Sequence, residues 1–264
     1  MRIVRWRPEM DGPPAWGWID GDRIGRLEGS PFGEFRRKPG SAPLEAARLL
    51  PPLKPGKIIC VGRNFPLHAA EHDAEVPSWP LLFFKPPTAV IADGEAIRLP
   101  PQSRQVEHEA ELAVVIGDPG RWIAPQDAAR HVLGYCAAND VTARDLQRSD
   151  GQWTRAKGFD TFCPLGPWIE TELDPADVLI TCSVNGQMRQ MGSTREMVFS
   201  IPQLLAFISS VMTLEAGDLI LTGTPSGVGL LQPGDEVAVE IEGIGRLINP
   251  VLPDERGGLA ADRK

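Results

Sequence analysis

The chain has 264 residues, 42% hydrophobic and 23% charged, a composition that supports one large packed domain, alone or with a small appendage. Asp and Glu number 35 against 27 Lys and Arg, a formal net charge of −8, which argues against a nucleic-acid partner because such a binder needs a basic face. Four scattered cysteines without a C-x-x-C pair argue against a disulfide framework or a structural zinc site; the polar N-terminus and the lack of a bilayer-length apolar run predict a cytoplasmic protein with no membrane partner.

Pro and Gly, 26 and 27 residues, punctuate short apolar runs, a texture of many short strands. "RIVRW" and "AWGWIDGDRIGRLEG" predict strands with a tight turn at "DGDR", "APLEAARLL" a helix, and "PPLKPGK" a connection that ends a first part near Pro55. "KIICVG" predicts a buried strand, and "PLHAAEHDAEVP" a short helix at best, between Pro66 and Pro77. "PLLFFK", "TAVIADG" and "EHEAELAVVIG" follow as strands, "DAARHVLG" as a helix, and "YCAANDVTA" as a strand running into a loop. "DVLITCSVNGQMRQ" has the alternation and Asn-Gly turn of a hairpin. "IPQLLAFISSVMTL" is the clearest amphipathic helix. "DLILTGTPSGVG" predicts a buried strand ending in a glycine-rich loop, and "DEVAVEIEGIGRLINPV" a strand pair.

Two patterns carry chemistry. "HAAEH", residues 68 to 72, matches the H-x-x-E-H of inverted zinc peptidases, but such a motif needs a substantial helix and this one is hemmed in by prolines. In "VEHEAELAVV", Glu107, Glu109 and Glu111 recur every second residue, about 7 Å apart on one face of a strand. That spacing suits a solvated stripe. It equally suits an all-oxygen cation site with Asp140 from the next apolar strand, a donor set for Mg²⁺ or Mn²⁺ rather than Zn²⁺. Lys85 ends an apolar strand, where a lysine either snorkels to the surface or balances charge in an acidic site. "LTGTPSGVG" lacks the Gly-Lys-Ser/Thr ending of a nucleotide-phosphate loop; its glycines suit close approach of backbone N–H groups to an anion.

Taken in order, "CVGRNFPLHAAE", "LLFFKPPTAVI", "HEAELAVVIG", "NDVTARDLQ", "AKGFDTFCPLGPWI" and "LILTGTPSGVG" resemble the fumarylacetoacetate hydrolase family over about residues 55–250. The resemblance implies an α+β, β-rich fold: a mixed β-sheet roll with short helices, a small N-terminal domain (1–54), a catalytic domain (55–252), a tail (253–264), and assembly as a homodimer. It places a divalent cation, Mg²⁺ or Mn²⁺, on Glu109, Glu111 and Asp140, leaving Glu107 as a solvated charge. It makes His68 and Glu71 a water-activating pair with Lys157 beside the substrate, and His72 a bystander. Lys85, Arg144, Gln147, Gly223 and Thr224 become substrate-binding positions. "GRNFPLH" departs from the commoner aromatic-small-acid pattern, with Pro66 expected to stiffen the segment.

The expected activity is hydrolysis of the C–C bond of an acylpyruvate, such as fumarylpyruvate, to pyruvate and a carboxylic acid, within aromatic-compound catabolism. Decarboxylation (of oxaloacetate among others), isomerisation or hydration of a 2-oxo acid is the alternative, and an inactive metal-binding scaffold is a third reading.

Overall fold

The computed structural model describes residues 1–9 and 12–255. Ten strands form the path of a 12-stranded sheet, in the order Phe35–Pro43, Arg23–Gly29, Ala15–Asp20, Arg2–Trp6, Cys163–Glu170, Val132–Asn139, Ala110–Ile116, Leu219–Leu221, Ile58–Gly62 and Leu81–Lys85. Most neighbours are antiparallel, but Leu219–Leu221 runs parallel to Ile58–Gly62, so the sheet is mixed. A second sheet of five strands contains the hairpin Leu179–Val184 and Gln187–Ser193 and the pair Glu236–Ile241 and Gly245–Pro253. Asn185 and Gly186 turn the first hairpin with φ of 52° and 75°, the left-handed pair that an Asn-Gly turn supplies.

The strand Ala110–Ile116 is central to both packing layers. Leu112, Val114 and Ile116 pack into one core with Ile180, Cys182, Val237 and Val239 of the five-stranded sheet. Ala113 and Val115 face the other way, into a core that includes Ile58, Cys60 and Leu165. A strand covered on both faces reads as an unbroken apolar run, as this one does from Leu112 onward.

The first part of the chain continues the large sheet. Ile3 pairs with Ile169 of Cys163–Glu170, and Ile3 and Leu27 share a core with Ala113, Val115 and Leu219. Of the expected tail, Pro253 still belongs to a strand and pairs with Leu99; residues 256–264 lie outside the described residues.

Two predicted helices are corrected. "APLEAARLL" is the end of the strand Phe35–Pro43, a turn closed by Ala47 N–H on the Leu44 carbonyl, and the short strand Leu49–Leu50. Nine residues are too few to hold a helix unaided, and here Leu49 and Leu50 find ladder partners in Trp6 and Arg5. "DAARHVLG" splits between a 3₁₀ segment, Pro125–His131, and the strand Val132–Asn139; pairing with Ala110–Ile116 claims Val132 onward. The amphipathic helix stands as Ile201–Val211, burying Leu204, Leu205 and Ile208.

Candidate active site

The run expected as one strand from Glu107 through Gly117 breaks at Glu109. Val106–His108 belongs to a small sheet with Thr142–Ala143 and Gly229–Leu230, whereas Ala110–Ile116 enters the large one. At the break, Glu109 N–H donates to Asn139 Oδ1 at 2.9 Å, and its carbonyl accepts from Asp140 N–H at 2.8 Å. This crossing of two chain segments brings carboxylate oxygens of Glu109, Glu111 and Asp140 within 4.8 Å of one another, all three buried.

Buried cations surround them. Lys157 Nζ donates to Glu109 Oε2 at 2.7 Å and to Asp140 Oδ2 at 2.6 Å. Lys85 Nζ reaches Asp140 Oδ1 at 2.7 Å and the Val141 carbonyl at 3.2 Å. Arg144, at the start of the helix Arg144–Asp150, donates to Glu109 Oε1 at 2.5 Å and, through Nε, to Glu107 Oε2 at 2.7 Å. Glu107 is therefore not the solvated charge expected of it: it is only 6% exposed, because a buried guanidinium needs a second carboxylate.

The two glutamates of the acidic cluster are shifted in opposite directions. Burial works against ionisation of Glu109, but Lys157 and Arg144 outweigh it and hold the carboxyl far below the usual range. Glu111 is pushed well above that range by burial first, then by the charges of Asp140 and Glu109. Burial works against the Lys157 ammonium, yet Asp140 and Glu109 raise its pKa.

His68 and Glu71 lie on the helix Pro66–Glu71. Pro66 sits in the first turn, where its missing N–H leaves nothing unpaired. His68 Nδ1 is 3.4 Å from Glu71 Oε2. Burial lowers the His68 pKa below its usual value despite the opposing pull of Glu109, so the ring is neutral at pH 7 and free to take a proton. His72 is more than a bystander in position: it lines the same pocket, stands edge-on to His68 with centroids 4.9 Å apart, and has a buried Nε2 without a partner among the described residues.

The helix is tied to the rest of the site at both ends. Asn64, fully buried, donates to the Thr222 carbonyl at 2.8 Å and the Phe199 carbonyl at 3.1 Å, and accepts from Phe199 N–H at 2.8 Å. At the other end Glu71 accepts from Gly227 N–H at 3.1 and 3.2 Å. The glycine-rich loop thus supplies N–H groups to anions, but to carboxylates of the protein: Gly223 N–H donates to Glu111 Oε2 at 2.7 Å. Gly223 has φ +99°, and a Cβ there would meet the Asn64 Cβ at 2.8 Å, so only glycine fits.

Of the expected site residues, His68, Glu109, Glu111, Asp140, Arg144, Gln147, Lys157 and Thr224 line one pocket. Glu71, Lys85 and Gly223 stand behind it, each bonded to a lining residue: His68, Asp140 and Glu111 respectively. Arg63, Phe83 and Trp153 also line it, and Asn64 positions it; the sequence singled out none of these four. Arg63 has φ of 58°, uncommon for a non-glycine residue, and its side chain has no ion-pair partner among the described residues.

A divalent cation fits the acidic cluster. Three buried carboxylates within reach of a single ion form an all-oxygen donor set, and the Asp140 and Glu109 charges that help raise the Glu111 pKa are ones a cation between them would offset.

Comparisons with known proteins agree with this architecture. Residues 57–252 match the family described as fumarylacetoacetate (FAA) hydrolase C-terminal, and residues 1–52 the one described as Rv2993c-like, N-terminal. The mitochondrial oxaloacetate tautomerase FAHD2B of Bos taurus is 44% identical over 220 residues, 79% of this chain and 70% of the relative. The crystal structure of 5-carboxymethyl-2-hydroxymuconate delta-isomerase from Mycobacterium smegmatis is 46% identical with a TM-score of 0.88, covering 96% of this chain and 100% of that one. The 2-hydroxyhepta-2,4-diene-1,7-dioate isomerase from Mycobacterium marinum is 43% identical with a TM-score of 0.89, covering 97% and 100%. With the mixed β-sheet roll and the acidic pocket in place, these matches make the chain a member of the fumarylacetoacetate hydrolase family.

Proposed function

We propose that this protein is a divalent-cation-dependent enzyme acting on a small 2-oxo dicarboxylic acid, and that it moves a proton at the carbon next to the keto group, as in keto–enol tautomerisation or double-bond isomerisation. The observation that carries the reading is one neutral, buried imidazole, His68, in the same pocket as Glu109, Glu111 and Asp140. The names of the relatives, a tautomerase of oxaloacetate and isomerases of an unsaturated tricarboxylate and an unsaturated dicarboxylate, point to the same chemistry.

Glu109, Glu111 and Asp140 would hold the cation, Mg²⁺ or Mn²⁺, which supplies Lewis acidity to a keto group and so acidifies the adjacent C–H. Every other step belongs to side chains. His68 takes the proton and returns it; Glu71, bonded to Nδ1, orients the ring and stabilises its charged form. Lys157 stabilises the negative charge that develops on the substrate, and the Thr224 hydroxyl holds a carboxylate. Arg63, Lys85, Arg144 and Lys157 stand against Glu71, Glu107, Glu109, Glu111 and Asp140, so with a divalent cation the site carries a net positive charge that suits an anionic substrate. The cavity, about 60 Å³, suits a compact molecule.

A second reading, C–C hydrolysis of an acylpyruvate, is favoured by the His68–Glu71 contact, since an imidazole so oriented also deprotonates water. The deciding experiment follows the enol absorbance of oxaloacetate and the diketone absorbance of acetylpyruvate and fumarylpyruvate, with Mg²⁺ and with EDTA, in wild type and His68→Ala. Mg²⁺-dependent enol decay lost in His68→Ala supports proton transfer. Release of pyruvate from the diketones supports hydrolysis instead. No Mg²⁺-dependent turnover of any of them removes both readings.

A further inference from the structure

Thr224 follows the strand Leu219–Leu221 and is 2% exposed. Its hydroxyl oxygen lies 2.8 Å from Nε2 of Gln190, a side chain of the strand Gln187–Ser193 that is 1% exposed. The same Nε2 is 2.7 Å from the Pro225 carbonyl, while Gln190 Oε1 is 3.1 Å from Ala110 N–H and 2.9 Å from His108 Nδ1.

These partners admit one orientation of the amide. Ala110 N–H can only donate and the Pro225 carbonyl can only accept, so Oε1 faces the first and Nε2 the second. Both hydrogens of Nε2 are then used, one on Pro225 and one on Thr224. Thr224 Oγ1 is thereby an acceptor from Gln190, and its own hydrogen has no acceptor among the described residues although the side chain lines the pocket. His108 reinforces the arrangement. An amide oxygen cannot donate, so Nδ1 of His108 carries the hydrogen in this contact whatever the state of Nε2.

We propose that Gln190 is a positioning residue that occupies one lone pair of the Thr224 hydroxyl and turns its hydrogen away from the protein and into the pocket, an arrangement matched to a carboxylate. Without Gln190 the hydrogen can also take the staggered position that faces Nε2 and point away from the pocket. With it, hydrogen bonds run in one direction, from His108 to Gln190 and from Gln190 to Thr224, each polarising the next. Gln190 also fixes distance as well as direction. Ala110 lies between Glu109 and Glu111, so one buried side chain couples the acidic strand to the loop that carries Thr224. This inference rests on the 2-oxo acid reading of the pocket.

The test uses the full chain loaded with Mg²⁺ and oxalate as the probe, with affinity measured by calorimetry for wild type, Gln190→Met, Thr224→Val and the double variant. Mg²⁺ affinity is measured alongside. Thr224→Val should weaken oxalate binding about 10- to 100-fold, the range for one hydrogen bond to a charged group. Gln190→Met should weaken it about tenfold, and the double variant should be no weaker than Thr224→Val alone, with Mg²⁺ affinity unchanged throughout. Full oxalate affinity in Gln190→Met, or losses that simply add, would overturn the proposal. Should Gln190→Met fail to fold, His108→Asn carries the test: an expected loss of about threefold that vanishes in the Thr224→Val background, with no loss in either background counting against it. Mg²⁺ binding with no oxalate binding to wild type would instead remove the 2-oxo acid reading on which the inference stands.

Discussion

Glu111 lies on the central strand Ala110–Ile116 of the large sheet, with Glu109 just before it and Asp140 just after the strand Val132–Asn139, and each is held by one or two short contacts to buried cations or backbone N–H groups. His68 and Glu71 occupy a six-residue helix whose N-cap has no side-chain hydrogen bond, and they reach each other only at 3.4 Å. One half of the pocket is an over-determined charge network; the other is a short element tied at Asn64 and Gly227. The difference teaches a division of labour. The acidic cluster proposed to hold a cation is fixed by tertiary pairing, while His68, the proposed proton carrier, sits where small adjustments are cheap.

The sharpest way to break that comparison is to neutralise the glutamates one at a time. Glu109 is ionised between two buried cations, so Glu109→Gln should destabilise the metal-free protein by about 3–5 kcal/mol in urea unfolding, the usual effect of removing one partner of a buried pair. Burial and the charges of Asp140 and Glu109 push the Glu111 carboxyl towards its neutral form, so Glu111→Gln should cost less stability than Glu109→Gln, less than about 1 kcal/mol, yet lose the rise in melting temperature expected from Mg²⁺. Equal losses in the two variants would show that the network does not divide its charge this way.

The helix half predicts the reverse profile. His68→Gln should cut turnover about 10²–10⁴-fold while leaving urea stability and the Mg²⁺-induced shift near wild type; a variant that loses Mg²⁺ binding would make His68 part of the cation site. Asn64→Ala strands Phe199 N–H in the interior and should destabilise by about 1–3 kcal/mol, raising KM more than it lowers kcat if the tie serves to place the helix.

Stability against pH separates the two glutamates again. For Glu111, whose folded pKa is raised, the unfolded chain releases its proton first, so metal-free stability falls as pH climbs from about 4.5, the ordinary glutamate value, towards the folded value. For Glu109, whose folded pKa is depressed, stability is present above about 4.5 and is lost as pH falls below it. Each slope should vanish in the corresponding Glu→Gln variant. The smallest effect concerns the base. His68 is depressed below about 6.5, so the acid limb of kcat should lie under that value; Glu71 pulls it upward, and Glu71→Gln should move the limb further down by less than about one pH unit. An upward move would mean that Glu71 does not face the charged ring.

Much of this pocket was legible before any coordinates. "HEAEL" and "NDVTARD" carry the carboxylates that gather in it, and "HAAE" carries His68 and Glu71, which the family resemblance singled out. Misreadings cluster where a contact far along the chain decided the outcome. Glu107 looked solvated because nothing near it in sequence announces Arg144, 37 residues away. Gly223 looked like a group for the substrate, but its N–H is taken by Glu111, 112 residues away. "APLEAARLL" carried helical composition, and edge pairing to Arg5 and Trp6 overrode it.

The sequence by itself determined the alternation and punctuation of the strands, the Asn-Gly hairpin, the amphipathic helix, and the identity of the ionisable groups. Only the tertiary structure decided where the glutamate run breaks, which carboxyl is pushed up and which down, and that Gln190 Nε2 faces the Thr224 hydroxyl. The physical reason is range. Strand periodicity and turn geometry are set by neighbours a few residues apart, whereas protonation and hydrogen-bond direction in a buried site depend on the full set of charges and dipoles that folding gathers, here from segments up to 158 residues apart in the chain.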